Sequence, residues 1–278
     1  MNIIIAGING YLGFRTKNYF KNKGFKIFNF KKKIFPRNVD IIINMSGPPQ
    51  DYCEKYPNKT RYMRSNLNRK LVRLAIKKKS KYFFYISTMH VYRDAKYLKE
   101  DSKTYSKNSY GTSHINGENE IIRASKDHKN INFKILRLTN CIGAPHKKNC
   151  NSWKLLVNDL CKQAVEKNII KLNSTTNVQR DFISIEFFLS LMLQIINDNT
   201  KNLILNISSQ KSISILSIAK KIQQRFYYLF KRKIRIKHSI RKMSSHRIVK
   251  SSINFKHKNN LIKPIDQTLI YAKKSFGS

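Results

Sequence analysis

The sequence predicts an α/β protein built on a doubly wound parallel sheet. Short apolar segments alternate with helical segments through the first half of the 278 residues. These segments are apolar on both faces, which is typical of parallel strands that helices cover on both sides. The first of them runs directly into three evenly spaced glycines, as a strand does where it turns into its first helix.

The first strand and turn indicate a phosphate-binding site. The segment 2–6 reads Asn-Ile-Ile-Ile-Ala, and Gly7, Gly10 and Gly13 lead into an amphipathic helix over 14–23. Such a turn brings the N–H groups of a helix N-terminus up to a pyrophosphate. The first turn is one residue longer than in the commonest dinucleotide fingerprint. The predicted phosphate-binding residues are Gly7, Gly10, Tyr11, Leu12 and Gly13.

The second strand, over 25–30, bears on the choice of cofactor. Its end is where a dinucleotide-binding fold places an acid on the adenine ribose. Here Asn29 takes that place, and Lys31–Lys33 follow it. A carboxylate would repel a 2′-phosphate, whereas an amide beside cations accepts one. We therefore predict NADP rather than NAD, bound at this end by Asn29, Lys31 and Lys32; the alternative is that three lysines mean little in so basic a chain.

The later elements continue the alternation. The gap between the second and third strands is about nine residues and contains Pro36, so a full crossover helix does not fit there. The segments predicted to complete the first half are strands over 39–44, 82–87 and 133–138 and helices over 61–77 and 110–124.

Past residue 140 the order of predicted strands and helices changes, and it is typical of a smaller mixed α/β lobe that closes over a cleft. Its predicted elements are helices over 152–167 and 184–197, a strand over 203–207, a helix from an N-cap at 212–214 to about 233, a strand over 234–238 and a mobile loop over 241–260. We expect residues 1–140 to form a Rossmann-type NAD(P)-binding domain and 141–278 to form a substrate-binding lobe interleaved with it.

Charge, cysteine content and hydropathy limit the function classes. Lys and Arg number 56 against 15 Asp and Glu, a formal charge of +41, but the charge is spread along the chain. We therefore predict no nucleic-acid partner, although an anionic substrate would be drawn in faster. The four cysteines form no C-x-x-C pair, so neither a metal site nor a disulfide framework is expected. The longest apolar run, Phe187–Ile196, is half a membrane span, and we expect a cytoplasmic protein with no membrane partner.

Several short motifs follow one another in a characteristic order along nearly the whole chain. After the glycine turn they are 40–47 (Asp-Ile-Ile-Ile-Asn-Met-Ser-Gly), Asn66, 85–92 (Tyr-Ile-Ser-Thr-Met-His-Val-Tyr), 110–113 (Tyr-Gly-Thr-Ser), 136–143 with Pro145, 179–183 (Gln-Arg-Asp-Phe-Ile), 206–209 and 214–216. In order and spacing they resemble the extended short-chain dehydrogenase/reductase family, which comprises nucleotide-sugar epimerases, dehydratases and reductases. The resemblance implies further cofactor-binding residues, namely Met45, Ser46, Gly47, Asn66 and Ser87.

Within the family, two features point to different members. The short link before Asp40 and the run 51–54 with Pro57 and Asn66 look most like the dTDP-4-dehydrorhamnose reductases, which reduce a 4-keto sugar nucleotide. Arg180 before Asp181 looks instead like the epimerase motif in which arginine meets the substrate diphosphate. A bidentate guanidinium suits that contact. The substrate-binding residues implied by the resemblance are Asn140 and Arg180.

The resemblance also implies the catalytic residues. Tyr110 would be the acid or base on the reacting hydroxyl or ketone, and Thr88 would hydrogen-bond the same oxygen. His114 stands where the family has a lysine, on the same helix face as Tyr110. A histidine is mostly neutral at pH 7, so it supplies much less field to lower the phenol's pKa than a lysine would.

The presence of His114 in place of the family lysine affects an oxidation by Tyr110 more than a reduction. An oxidising step needs Tyr110 ionised as a base, whereas a reducing step needs it protonated, which is its natural state. We therefore expect an NADP-dependent reductase of a keto nucleotide sugar, in polysaccharide biosynthesis by resemblance. The alternatives are a nucleotide-sugar 4-epimerase and a catalytically weakened cofactor-binding or regulatory member. The resemblance implies a homodimer through the helices over 61–77 and 110–124.

Overall fold

The computed structural model describes residues 1–172, 178–238 and 247–277. The chain divides into two compact units. The first comprises Met1–Leu138, Leu191–Ile207 and Lys250–Asn254, and the second comprises Thr139–Ser190, Ser208–Val249 and Phe255–Ser278. Part of the loop predicted over 241–260, residues 241–246, lies outside the described residues.

Strands and helices alternate along the described chain. The strands are β1 (Asn2–Ala6), β2 (Lys26–Asn29), β3 (Ile41–Asn44), β4 (Tyr82–Thr88), β5 (Tyr97–Leu98), β6 (Asn132–Leu138), β7 (Asn140–Ile142), β8 (Ile169–Leu172), β9 (Gln179–Arg180), β10 (Phe182–Ser184), β11 (Ile204–Ile207), β12 (Ile213–Ser214), β13 (Arg235–His238) and β14 (Ile248–Val249). The helices are α1 (Tyr11–Asn22), α2 (Gln50–Lys55), α3 (Pro57–Lys77), α4 (Ser109–Asp127), α5 (Leu156–Lys167), α6 (Ile185–Asn197), α7 (Ile215–Phe230) and α8 (Ile262–Phe276).

The first unit contains the predicted doubly wound parallel sheet. Six strands of the described residues form it in the order β11-β6-β4-β3-β1-β2, and every neighbouring pair is parallel. From β1 the chain passes to β2 on one side and then to β3 on the other, so the winding reverses between β1 and β3. Between β2 and β3 the chain makes only a 3₁₀ turn at Phe30–Lys32, as the short gap predicts. The fold prediction is confirmed.

Two assignments made from the sequence need correction. The strand predicted over 203–207 was assigned to the second lobe, but β11 pairs with β6 and forms an edge of the sheet in the first unit. The helix predicted over 152–167 begins with a separate 3₁₀ turn at Asn151–Lys154 and continues as α5 only from Leu156. The sequence analysis also missed α2 and α8, the latter with Pro264 in its first turn, where proline is tolerated.

The core of the first unit lies between the sheet and helices α3 and α4. The side chains that form it are apolar residues of the strands and of the inward faces of these helices, such as Ile4, Ile42, Leu71, Phe83 and Ile121. Each of these five side chains is fully buried. Burial of this kind is the main favourable term that holds helix to sheet.

A buried ion pair also connects helix and sheet in the first unit. Arg137 of β6 donates to both carboxylate oxygens of Glu118 of α4, with Nη2 2.6 Å from Oε2. Ser87 of β4 donates its hydroxyl to Oε1 of the same carboxylate at 2.5 Å. The guanidinium also donates to the backbone carbonyl of Glu100 and lies over the ring of Tyr92. These contacts fix α4 against two neighbouring strands.

The second unit is a mixed α/β assembly with its own core. In the described part of the chain, β7 pairs with β10 and β8 with β13 in parallel, and β9 pairs with β12 antiparallel. Helices α5, α7 and α8 supply most of the core, with side chains such as Leu160, Ile218, Phe226 and Leu269. No helix within the described ranges is both long and apolar enough to cross a membrane.

The Arg137–Glu118 pair makes a prediction about stability. Glu118→Gln leaves the guanidinium buried without its countercharge, so we expect the free energy of unfolding to fall by about 3–5 kcal/mol. The matched control is Glu120→Gln on the same helix, because Glu120 lies 3.6–3.8 Å from the more exposed Arg69 and Arg123. For this control we expect a loss of about 0–1 kcal/mol. Urea denaturation measures both, and equal losses would contradict a structural role for the buried pair.

Candidate active site

The glycine turn lies where β1 ends beside β3. Gly7 has φ of +86°, and a Cβ there would lie 2.8 Å from the carbonyl oxygen of Met45. A Cβ on Gly13 would overlap the carbonyl oxygen of Gly7, so α1 packs directly on the turn. The N-cap residue Gly10 offers no side-chain acceptor to the N-terminus of α1. An uncapped helix N-terminus at the switch point of a parallel sheet is suited to an anionic group.

The end of β2 lies beside this turn. Asn29 pairs in register with Ile5 of β1, and its side-chain oxygen accepts a hydrogen bond from the backbone N–H of Lys31 at 3.0 Å. The amide therefore caps the 3₁₀ turn that carries Lys31 and Lys32. Both lysines are exposed. The structure brings all three residues to the edge of the sheet where the glycine turn lies.

The end of β3 is tied to the helices by a buried amide bridge. Asn44 donates from Nδ2 to Oδ1 of Asn68 at 2.6 Å, and Asn68 donates in turn to the backbone carbonyl of Gly117 at 2.9 Å. Sequence reasoning selected Asn66 on this helix. That residue is half-buried, and no hydrogen bond from its side chain to this bridge is found in the described chain.

The residues after β3 continue towards the glycine turn. The backbone N–H of Met45 donates to the carbonyl of Ala6, the last residue of β1, at 3.1 Å. The backbone N–H of Ser46 donates to the side chain of Asn44 at 3.1 Å. Gly47 follows and is exposed. Met45, Ser46 and Gly47 thus lie at the same edge of the sheet as the turn.

Thr88, the last residue of β4, and Tyr110, in the first turn of α4, lie close together. Asn108 caps α4 by accepting from the N–H of Gly111 at 2.8 Å, which places Tyr110 in the first helical turn. Partial burial raises the phenol's pKa, while the Arg64 guanidinium and a hydrogen bond from the Thr88 side chain oppose this effect; the net pKa stays above 10.0. The phenol is therefore protonated at neutral pH.

His114 lies one turn after Tyr110 and is buried. Its Nδ1 is 2.9 Å from the Tyr85 hydroxyl, its ring centroid is 4.7 Å from that of Tyr110, and Nε2 has no partner among the described residues. Burial holds the histidine's pKa well below 6.5, and the positive charge of Arg64 and the nearby His90 act in the same direction. The ring is neutral at pH 7, so His114 brings no cation to Tyr110.

Arg64 of α3 is the cation that the sequence analysis missed. Its side chain is only 5% exposed, and its guanidinium carbon lies 5.4 Å from the centroid of the Tyr110 ring. Nε donates to the Ser113 hydroxyl at 2.8 Å, and Nη2 donates to the carbonyl of Pro48 at 2.9 Å. A buried guanidinium thus lies against the residue predicted to carry the chemistry.

A weak sequence signal marked this position. On α3 the buried residues Thr60, Arg64, Asn68, Leu71 and Ala75 recur at spacings of three and four, which is the pattern of one helix face. Two of them carry the polar groups that reach the site. The helix is so rich in cations that its buried arginine is indistinguishable from its exposed ones by composition.

Ser87 faces away from this group. Its hydroxyl is donated to Glu118 and so belongs to the buried ion pair described above. The sequence analysis placed Ser87 on the cofactor, and the structure shows this side chain already engaged within the protein. Its neighbour Thr88 is the hydroxyl residue that reaches Tyr110.

The two predicted substrate residues lie in the second unit. Asn140 of β7 donates from Nδ2 to the backbone carbonyl of Asp181 at 2.8 Å, and Arg180 of β9 is exposed. The Asp181 carboxylate accepts from the Thr139 hydroxyl at 3.0 Å and from the N–H of Ser209 at 2.9 Å. Burial raises the pKa of Asp181 to about 6.

Comparison with solved structures shows the same fold. The first similar structure is RMD from Pseudomonas aeruginosa complexed with NADPH, with a TM-score of 0.83 and 15% identity over 98% of this chain and 99% of that one. The second is UDP-glucuronic acid 4-epimerase from Bacillus cereus in complex with NAD, with a TM-score of 0.80 and 15% identity over 99% and 97%. A third is UDP-glucose 4-epimerase from Thermotoga maritima with UDP-glucose, with a TM-score of 0.79 and 13% identity over 99% of each chain.

Sequence comparison identifies the family. No curated protein matches the chain by sequence. The family model described as NAD dependent epimerase/dehydratase family matches residues 3–208, which is most of the chain and covers the glycine turn, Thr88, Tyr110 and His114. The chain therefore belongs to the NAD dependent epimerase/dehydratase family.

Proposed function

We propose that this protein reduces a 4-keto nucleotide sugar with a nicotinamide cofactor, NADP in preference to NAD. The observation that carries the proposal is the pairing of a protonated Tyr110 phenol with Thr88, next to a histidine that is neutral. This arrangement suits a proton donor. The solved structures that resemble the chain support the cofactor and substrate classes, because those proteins are complexed with NADPH, NAD or a UDP-sugar.

The residues present fit a dinucleotide. Gly7 and Gly13 let the turn, α1 and the chain after β3 pack closely, and the N-terminus of α1, which has no side-chain cap, would face the pyrophosphate. Asn29, Lys31 and Lys32 would hold the adenine-ribose end. The buried Nε2 of His114, which lacks a protein partner among the described residues, is available to a ribose hydroxyl. When bound, the nicotinamide supplies the hydride for the reduction.

Tyr110 and Thr88 would act on the ketone oxygen. When the ketone is bound, the Thr88 hydroxyl would turn its single O–H from Tyr110 to the ketone oxygen, which polarises the carbonyl and holds it in place. Tyr110 gives its phenolic proton to the oxygen as the carbon is reduced, so the ketone becomes an alcohol and the phenol becomes a phenolate. Solvent then returns a proton to the phenolate.

The raised pKa of Tyr110 favours reduction over epimerisation. A 4-epimerase begins by removing a proton from a hydroxyl, which requires the phenolate as a base. In this site burial makes the phenolate rare at neutral pH. The second candidate is nonetheless a 4-epimerase, since two of the three similar structures described above carry that name. A catalytically weakened cofactor-binding member is the third, because His114 carries no charge.

The first prediction that the proposed function makes concerns redox balance. With a panel of 4-keto sugar nucleotides, we expect NADPH to be consumed one for one with substrate, as followed by its absorbance. Tyr110→Phe removes the proton donor and should lower kcat by about 10²–10⁴-fold while NADPH still binds. Sugar interconversion without net loss of NADPH would contradict the reductase proposal and favour the epimerase. Binding without any turnover would favour the third candidate.

The second prediction concerns cofactor choice. Asn29→Asp combined with Lys31→Ala and Lys32→Ala should weaken NADPH binding by about tenfold to a hundredfold, because the charge-assisted hydrogen bonds to a 2′-phosphate are lost. NADH binding should change little or improve. Calorimetric titration with each cofactor measures this difference.

The control for this variant is Lys77→Ala with Lys81→Ala. Both lysines are exposed. Lys81 directly precedes β4, so it lies at the amino ends of the parallel strands, whereas the candidate site lies at their carboxyl ends. This control should leave both affinities unchanged. Equal losses for NADPH and NADH in the Asn29 variant would mean that the lysines only attract anions.

The third prediction concerns the pH dependence that His114 brings. Since its pKa in the folded protein lies well below 6.5, only the unfolded chain takes up this proton as pH falls through about 6.5. The free energy of unfolding should therefore fall by up to about 1.4 kcal/mol per pH unit below that value. His114→Gln should lack this component, while Asp181 contributes equally to both proteins. Denaturant titrations between pH 5 and 7 test this, and identical pH dependence in the two proteins would contradict a buried neutral His114.

A further inference from the structure

The buried charge of Arg64 is not compensated by a negative charge. No carboxylate of the described residues forms an ion pair with it, and its hydrogen-bond partners are neutral: the Ser113 hydroxyl, the backbone carbonyl of Pro48 and the Tyr85 phenol. Burying an uncompensated charge is costly, and neutral acceptors offset that cost only in part. By contrast, Arg137, the other deeply buried arginine among the described residues, lies 2.6 Å from a carboxylate oxygen of Glu118. The positive charge of Arg64 is therefore left to act on its surroundings.

Two phenols lie beside this charge: that of Tyr85, which is buried and hydrogen-bonds to Arg64, and that of Tyr110, which the proposed function requires to give up its proton. The guanidinium lies 5.4 Å from the centroid of the Tyr110 ring, within the range in which a cation over an aromatic face is attracted to it. The other polar groups around the Tyr110 phenol carry no permanent positive charge: they are His114 on the same helix, Tyr85 and Thr88 of β4, His90 just after β4, and Cys53 of α2.

Two further contacts hold the guanidinium where it lies. The Ser113 hydroxyl that accepts from Arg64 Nε donates to the backbone carbonyl of Tyr110 at 2.7 Å, so the arginine is connected to the tyrosine through one side chain. A Cβ on Gly47 would overlap the guanidinium, so a larger residue there would displace the Arg64 side chain from its present position.

We propose that Arg64 is a positioning residue for the reaction, and that its charge, brought from a helix other than the one that bears Tyr110, stabilises the phenolate formed when Tyr110 gives up its proton. The inference rests on the proposed function of Tyr110 as a proton donor. Negative charge that develops in a partly dry site is stabilised strongly by a fixed cation. Arg64 thereby supplies the electrostatic effect that the neutral His114 does not.

The test measures the acidity of Tyr110 without reference to turnover. Tyr110 is replaced by 3,5-difluorotyrosine, whose phenol is more acidic, so that its titration falls where the protein is folded. The ¹⁹F signal then reports ionisation at this one position. The titration is repeated with Arg64→Met, with Arg64→Lys, which keeps the charge, and with Arg73→Met, an exposed arginine of the same helix.

We expect Arg64→Met to raise the pKa of the fluorinated phenol by about 1–3 units, because an opposite charge at this distance lowers a pKa by that amount. Arg64→Lys should restore most of the difference, and Arg73→Met should have no effect. If Arg64→Met does not fold, Arg64→Gln replaces it, since it removes the charge but keeps an N–H donor for Ser113 or Pro48. An unchanged pKa in a folded neutral variant would overturn the proposal.

Turnover separates this inference from the function on which it rests. If the protein reduces 4-keto sugar nucleotides, Arg64→Met should lower kcat with little change in KM, and Arg64→Lys should recover it. A pKa shift without any reductase activity would support the role of Arg64 and refute the proposed reaction. Reductase activity with no pKa shift would refute the role of Arg64 alone.

Discussion

The parallel direction of the sheet is the constraint on which the candidate site depends. Strands β1, β3 and β4 run side by side, with Ala6 paired with Asn44 and Asn44 paired with Tyr85, so their carboxyl ends lie at one edge. The glycine turn and Met45 directly follow the ends of β1 and β3, and Thr88 is the last residue of β4. Helices α3 and α4 begin near these carboxyl ends. Arg64 and Tyr110 therefore reach the candidate site from the first two turns of their helices.

Two buried arginines of the described residues have different roles: one stabilises the packing of a helix on the sheet, and the other lies against the proposed catalytic residue. Arg137 lies beneath the site and is neutralised by Glu118, which also accepts from Ser87, so the three together fix α4 against β4 and β6. Arg64 lies beside Tyr110 and has neutral acceptors. A neutralised pair gives rigidity with little external field, whereas a lone buried cation acts on its neighbours through a medium that screens it poorly.

The local patterns of the sequence predicted the sheet and the glycine turn, because each depends on a few consecutive residues, whereas the pairing of Thr88 with Tyr110 was implied by the resemblance to a family. The features that the sequence analysis missed depend on long-range pairing or on one face of a helix. The strand at 204–207 joins the sheet only through β6, which precedes it by many residues. Arg64 and Asn68 are buried within a helix whose many cations conceal its inward face, and burial cannot be read from charge.

The most direct measurement of the central claim, that Tyr110 serves a reduction, is the fate of the transferred hydride. NADPH that carries deuterium at the reactive C4 position is incubated with the protein and a 4-keto sugar nucleotide, and the product is examined by mass spectrometry and NMR. The account predicts one deuterium on the sugar carbon that bore the ketone, in proportion to the cofactor oxidised, and much slower labelling with Tyr110→Phe. Conversion of the sugar nucleotide without label in the product would contradict it.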